Sequence, residues 1–432
     1  MHAKRAMRVR ELREPVTFTF DGEEVLAERG EPVAAALVAS GKLVIARSAK
    51  FHRPRGPACF RGACDGCLAR VNEAPNVMTC LVPAENGVTV VTQNALGSRD
   101  VDLLRVTDWF FPEGMNHHEL FAGIPGVQQV MQAFARRVAG LGRLPKVVTK
   151  PRAARRRDVD VVVVGGGPAG MAAAAAVAAR GRSALVIDDA LEVGGGARAL
   201  FGEDAHRWSE ITGAFASSAR SAGVEVRSAT VAAGFYGDDL LVAGSGEEGA
   251  EILSARAFVL APGAHDGVLA FEGNDLPGVM SARAAGWLLA RGVLVGKRVL
   301  VVVAEGGGPF GEAYARALGS MNAACEVTVL HGTPTGAHSG SRSARVKEAT
   351  TLVGGKAVTR SCDALVIDAP RAPAYELCAQ AGAALTHEPR GFVVRTDGGK
   401  IRDSVWALGE VTGAPLDAAR ILEDAHALAS RL

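Results

Sequence analysis

Apolar and polar residues alternate with a period of two in the runs Val16-Thr17-Phe18-Thr19-Phe20 and Glu24-Val25-Leu26-Ala27, which Asp21-Gly22 joins. This pattern predicts a hairpin of two half-buried strands. Glu31-Pro32 then opens a helical segment, Val33 to Ser40, stopped by Gly41, and Gly87-Val88-Thr89-Val90-Val91 reads as a further strand. Hairpin, helix, a Gly/Cys loop and a returning strand predict a compact β-grasp domain of about a hundred residues.

The pattern changes after residue 100. Helical patches around Leu103 to Phe111 and Val127 to Val138 lead into a basic stretch, Lys146 to Arg157, broken by Pro145 and Pro151. A solvated connector is expected there. From Asp158 onward apolar strands alternate with Ala-rich helices, as in doubly wound α/β domains. One unit starts at Asp158 to Val164 and a second at Lys297 to Val303; between them Val224 to Val242 and Ile252 to Leu260 read as a three-stranded meander insertion. The longest apolar stretch, Val161 to Ala179, is broken by Gly165-Gly166-Gly167-Pro168, so it reads as strand, turn and helix rather than a membrane span.

Composition narrows the function classes. The chain has 432 residues, 48 Lys+Arg against 46 Asp+Glu and a formal charge of +2, which gives no basis for a nucleic-acid partner. Met1 to Glu14 carries Arg and Glu throughout without the apolar core of a secretory signal, so a cytoplasmic location without a transmembrane segment is expected.

Four of the seven cysteines, Cys59, Cys64, Cys67 and Cys80, form C-x4-C-x2-C-x12-C, and the first three have the spacing of plant-type [2Fe–2S] sites. Gly56, Gly62 and Gly66 allow the loop to bend and aim N–H groups at sulfur, while Arg55 and Arg61 are placed to offset negative charge. A closed zinc site is the alternative for four thiolates. Cys325, Cys362 and Cys378 stand alone among apolar residues and read as buried, inert thiols.

Gly165-x-Gly167-x-x-Gly170 follows a four-valine strand and opens an Ala-rich helix, which is the context of a dinucleotide turn. Gly165, Gly167, Pro168, Ala169 and Gly170 are expected against a pyrophosphate at the helix N-terminus. Asp188, at the end of the next strand, is placed for ribose hydroxyls. Two later segments, Phe258 to Ala264 with Ala261 and Gly263, and Val405 to Glu410 with Gly409 and Glu410, resemble flavoprotein motifs and point to FAD, although Asp is usual where Glu410 stands. Gly306-x-Gly308-x-x-Gly311 follows the second unit's strand and offers an NAD(P) site. Its next strand ends at His331 rather than at an acid, so a ligand-free structural domain is the equal alternative.

Together these residues resemble the FAD/NAD-domain subunits of heteromeric amine and amino-acid dehydrogenases, a group that includes heterotetrameric sarcosine oxidase alpha subunits, hydrogen cyanide synthase and opine oxidases. Phe51 to Gly56, Phe111 to Met115 with His117-His118, and Ala264-His265 followed by Gly273 to Met280 are similar to the family's segments. The resemblance implies an α/β chain: an N-terminal β-grasp ferredoxin-like domain, then a two-dinucleotide-binding-domain, Rossmann-type flavoprotein. The expected divisions are a [2Fe–2S] domain over 14–100, a connector over 101–157, an FAD-binding domain in two parts, 158–282 and 376–432, and a shortened NAD(P)-type domain over 283–375. It also implies FAD, a [2Fe–2S] cluster and a second flavoprotein subunit as partner. The chain stops shortly after Gly409-Glu410, so one-carbon transfer to folate is not expected of it.

The function expected is an FAD-dependent oxidoreductase: an electron-transfer subunit of a hetero-oligomeric dehydrogenase or oxidase for a small amine or amino acid such as sarcosine, proline, glycine or an opine. A self-contained NAD(P)H-dependent reductase and a docking subunit with non-catalytic cofactors are the alternatives. Disulfide reduction is set aside, because Gly194-Gly195-Gly196-Ala197-Arg198 is followed by no paired cysteine. His265 reads as a structural histidine and His117-His118 as a connector pair, so no catalytic base is assigned.

Overall fold

The computed structural model describes residues 7–48, 52–93, 95, 97–103, 126–127, 129–130, 153–221, 223–244, 249–321, 325–340 and 344–432. The expected patch at Phe111 to Met115 with His117-His118, most of the connector helices and Phe51 lie outside them. The described residues fall into two compact units, one drawn from Met1–Val148, Leu269–Val302 and Asn322–Ile367, the other from Thr149–Val268, Val303–Met321 and Asp368–Leu432.

In the first unit the expected hairpin forms from Pro15–Phe20 and Glu23–Glu28, with Val16, Phe18 and Phe20 buried on one face because successive side chains alternate across the sheet. Thr89–Thr92 lies parallel to the first strand and antiparallel to Leu68–Val71, and Ala74–Met78 completes a five-stranded sheet. The helix Val33–Ala39 is buried throughout, and the sheet with its helix is the predicted β-grasp arrangement. The same unit holds a four-stranded sheet in the order Val279–Ser281, Ala364–Asp368, Arg298–Val303, Glu326–His331. Beside it, Thr333–Ser339, Val346–Val353 and Lys356–Ser361 form an antiparallel three-stranded sheet. Val279, Leu300, Val302, Val346 and Leu365 share one core. The first strand of this sheet in chain order is Val279–Ser281.

The second unit is built on an eight-stranded sheet in which the edge strand Val224–Arg227 and the strands Ala184–Ile187, Arg155–Val164 and Ala250–Leu260 run parallel in that order. Two expectations change here. Arg155 to Arg157 begin a strand instead of ending a linker: they pair with Glu251 to Leu253, and Arg156 and Arg157 bind Asp239 and Glu225. Val224–Arg227 extends the parallel sheet beside Ala184–Ile187, so the meander comprises Thr230–Tyr236, Asp239–Gly244 and the long strand Ala250–Leu260. Among the described residues no helix is long and apolar enough to cross a membrane.

Candidate cofactor sites

The cysteine loop is set by a close backbone approach. A Cβ on Gly66 would stand 1.9 Å from the Gly56 carbonyl oxygen, so only glycine permits the bend that brings Ala58 to Cys67 together. Arg55 forms an ion pair with Asp275, and Ala58 O accepts from Ser281 N at 3.0 Å. The charge of Arg55 is thus neutralised by Asp275 of the same unit, which revises its expected role of offsetting a cluster's charge.

The four thiols are arranged as two pairs. Cys59 and Cys64 sulfurs are 3.4 Å apart, and Cys67 and Cys80 hydrogen-bond each other. The Cys59 hydrogen bond pulls the Cys64 thiol down to about 6, helped by the N–H groups of Ala58 and Gly66, and Cys80 lowers Cys67 in the same way. Their donors, Cys59 and Cys80, are held above the usual thiol range by those same bonds and by burial. Arg61 N also donates to Cys59 Sγ at 3.4 Å. Among the described residues no three Cys, His, Asp or Glu side chains are grouped to hold one metal ion. Zinc needs four ligands on one ion, whereas a [2Fe–2S] cluster takes two thiolates on each of two irons, so the paired arrangement and the inward N–H groups fit the cluster.

The first glycine turn lies in the second unit and draws three separated segments together. A Cβ on Gly165 would meet Ala261 O at 2.2 Å, one on Gly170 would meet Gly165 O at 1.8 Å, and one on Gly409 would meet the Ala169 methyl at 2.6 Å. Gly263 faces Glu410, whose Oε2 would lie 4.0 Å from an added Cβ. Gly167 caps the helix Pro168–Ala178, and the nearest atom to a Cβ there is Gly195 Cα at 3.8 Å. Asp188 Oδ2 accepts from Gly166 N at 2.6 Å and Oδ1 from Ala190 N at 2.8 Å, so the carboxylate is fixed beside the turn. These approaches leave no room for a side chain, while Gly167 leaves space at the helix N-terminus, an arrangement that fits a dinucleotide such as FAD.

The second glycine motif forms a turn before the helix Phe310–Ser320. Two residues that sequence reasoning missed meet there. Asp368 Oδ2 accepts from Gly311 N at 2.6 Å, and Arg371 binds both Gly308 O and Glu410, with Nε 2.8 Å from Glu410 Oε1. The available signal was two charged residues in the Pro-rich turn that ends an apolar strand, where α/β sheets place their ligand groups. His265 forms a half-exposed surface pair with Glu376 at 3.3 Å. Cys362 and Cys378 are buried, and burial pushes their thiols up to about 11 and about 12, whereas Cys325, expected to be buried with them, is only partly so.

Comparison with known proteins agrees with this arrangement. Residues 13–95 match the 2Fe-2S iron-sulfur cluster binding domain family, and residues 159–342 match the pyridine nucleotide-disulphide oxidoreductases. Sarcosine oxidase subunit alpha of Rhizobium meliloti (strain 1021) is 27% identical over 300 residues, covering 62% of this chain and 30% of that protein. The same subunit of Corynebacterium sp. (strain P-1) is 30% identical over 310 residues, covering 67% and 28%. The matched segment thus spans under a third of the length of these relatives. Among solved structures, L-proline dehydrogenase from P. horikoshii has the same fold, with a TM-score of 0.73 at 19% identity over 99% of this chain and 75% of that one. A [2Fe–2S] cluster and FAD are the cofactors of the two matched domains.

Proposed function

We propose that this chain, a homologue of sarcosine oxidase alpha subunits, is the FAD- and [2Fe–2S]-binding electron-transfer subunit of a heteromeric dehydrogenase or oxidase acting on a small amine or amino acid. The observation that carries this reading is the presence on one chain of two thiol pairs and a dinucleotide turn closed by Ala261 and Gly409. When both groups are bound, flavin supplies two-electron hydride chemistry and the cluster supplies one-electron exchange.

The contribution of the chain itself is positional. Cys59, Cys64, Cys67 and Cys80 serve as cluster ligands, and the Gly56–Gly66 contact keeps their loop bent so that backbone N–H groups face sulfur. Gly165, Gly167, Pro168, Ala169 and Gly170 hold the FAD pyrophosphate against a helix N-terminus, where amides and the helix dipole favour negative charge. Asp188 accepts from ribose hydroxyls, while Ala261, Gly263, Gly409 and Glu410 line the remaining length of the cofactor. The relatives are subunits by name, so a partner is part of the proposal, and a second flavoprotein subunit that oxidises the amine is its expected identity. A cytoplasmic location belongs to the same reading, since a reducing compartment keeps clustered thiols available.

Protein purified without oxygen tests this proposal through its visible spectrum with iron, sulfide, zinc and flavin analysis. About two irons, two labile sulfides and one flavin per chain are expected. Zinc without sulfide would overturn the cluster assignment, and the absence of both flavin and iron would overturn the function.

A further inference from the structure

In the second glycine turn, the helix N-terminus that a dinucleotide pyrophosphate would use is already held by a carboxylate of the chain. Asp368 is 4% exposed, and its Oδ2 takes the Gly311 N–H at 2.6 Å. The Gly308 N–H hydrogen-bonds the same carboxylate, and Pro309 between them has no N–H to offer. The backbone closes the turn from the same segment. Ala304 N donates to Asp368 O at 2.9 Å, and a Cβ on Gly307 would stand 2.2 Å from that oxygen. Three residues on, Arg371 donates to Gly308 O and lies over the Phe310 ring, 5.0 Å from its centroid.

The first turn is closed in another way. There the carbonyl that closes the glycine belongs to Ala261, at 2.2 Å from a Cβ on Gly165, and a methyl group accepts no hydrogen bond. Asp188 reaches that turn from another strand and takes Gly166 N–H, one residue ahead of the helix cap Gly167. A carboxylate therefore sits beside the helix entrance of one turn and within the amides of the other.

We propose that Asp368 is an internal stand-in for phosphate that closes the second turn to NAD(P), so that this chain exchanges electrons with its protein partner rather than with a nicotinamide. This rests on the reading of the chain as an electron-transfer subunit. A phosphate at about 4 Å from the carboxylate meets a repulsion equivalent to roughly a thousandfold in affinity at an effective dielectric of about 20. Burial raises the Asp368 pKa, and the two amides partly restore it.

Calorimetric titration of the flavin-loaded protein with NADH, NADPH and ADP-ribose tests the proposal. No saturable binding is expected up to about 1 mM, and anaerobic NADH should leave the flavin absorbance unchanged. Asp368→Ser, whose hydroxyl falls short of Gly311 N, should gain at least about tenfold in ADP-ribose affinity, and Asp368→Asn should gain less. Saturable wild-type binding below about 1 mM overturns the proposal, as does a folded Asp368→Ser protein that binds no better than wild type. Should that variant not fold, the wild-type titration decides. Failure of the broader reading would show separately, as missing flavin and iron.

Discussion

Replacing Arg371 with alanine is the sharpest probe of how the flavin-side motif is held. Arg371 and Glu410 side chains are each 15% exposed and joined at 2.8 Å, and the same guanidinium binds Gly308 O and covers Phe310. Removing it deletes two hydrogen bonds from a charged donor, about 1.5–3 kcal/mol each in favourable cases. It also strands the Glu410 carboxylate, a loss that reaches about 3–5 kcal/mol for fully buried pairs. Water entering beside these partly accessible groups offsets part of this, which leaves a net loss of about 2–3 kcal/mol. Arg371→Lys keeps the charge, but its compact ammonium cannot span both acceptors, so about half the loss should remain. Urea unfolding by circular dichroism of flavin-free and flavin-loaded protein measures the stability change, and flavin retained after desalting reports on Glu410. In the flavin-free protein, adding Glu410→Gln to Arg371→Ala should recover about 1 kcal/mol, because no orphaned charge remains. A loss under about 0.5 kcal/mol, with flavin retention unchanged, would refute the argument.

Three further outcomes are expected. Gly170→Ala places a Cβ 1.8 Å from the Gly165 carbonyl, so the helix must part from its strand, and flavin content should fall below about a tenth of wild type while circular dichroism is retained. Cys64→Ser should abolish the cluster's iron and sulfide, whereas Cys378→Ser, at a buried thiol pushed up to about 12, should leave both in place; equal loss in the two would remove the ligand assignment. Glu225 is lowered to about 2 by Arg157 first and also by Arg227. Its folded pKa lies below the unfolded value, so its stabilisation is present above about pH 5 and is lost as pH falls towards about 2. With its side chain 44% exposed, that share is about 1 kcal/mol or less after screening, and Glu225→Gln should flatten the stability curve in that window.

Features that act on their own backbone were legible from sequence. The hairpin at Asp21-Gly22, the cysteine spacing and the first glycine turn are each specified within a few residues, and each formed where it was expected. Elements defined by a distant neighbour were not. Arg155 to Arg157 has the composition of a solvated tether, and only pairing with Glu251 to Leu253 makes it a strand. Val224–Arg227 has a half-exposed pattern suited to an antiparallel hairpin, yet it lies parallel to Ala184–Ile187 at the sheet edge, where exposure on one side gives the same pattern.

The two glycine motifs carry this distinction to the chemistry. Both satisfy the same local condition, a backbone able to turn sharply from strand into helix, and their spacing is identical. What a turn can bind depends on the segment that arrives beside it, and Asp368 is 57 residues from Gly311. An alanine arriving at the first turn adds no acceptor, while an aspartate arriving at the second satisfies amides that a phosphate would need. Like-charge exclusion at such short range outweighs the dipole attraction of one helix end, about 0.3–1 kcal/mol, so the arriving residue decides the outcome. In a glycine turn of this kind, the spacing sets whether a phosphate can approach, and whether an acid reaches the amides at the helix entrance sets whether its place is free.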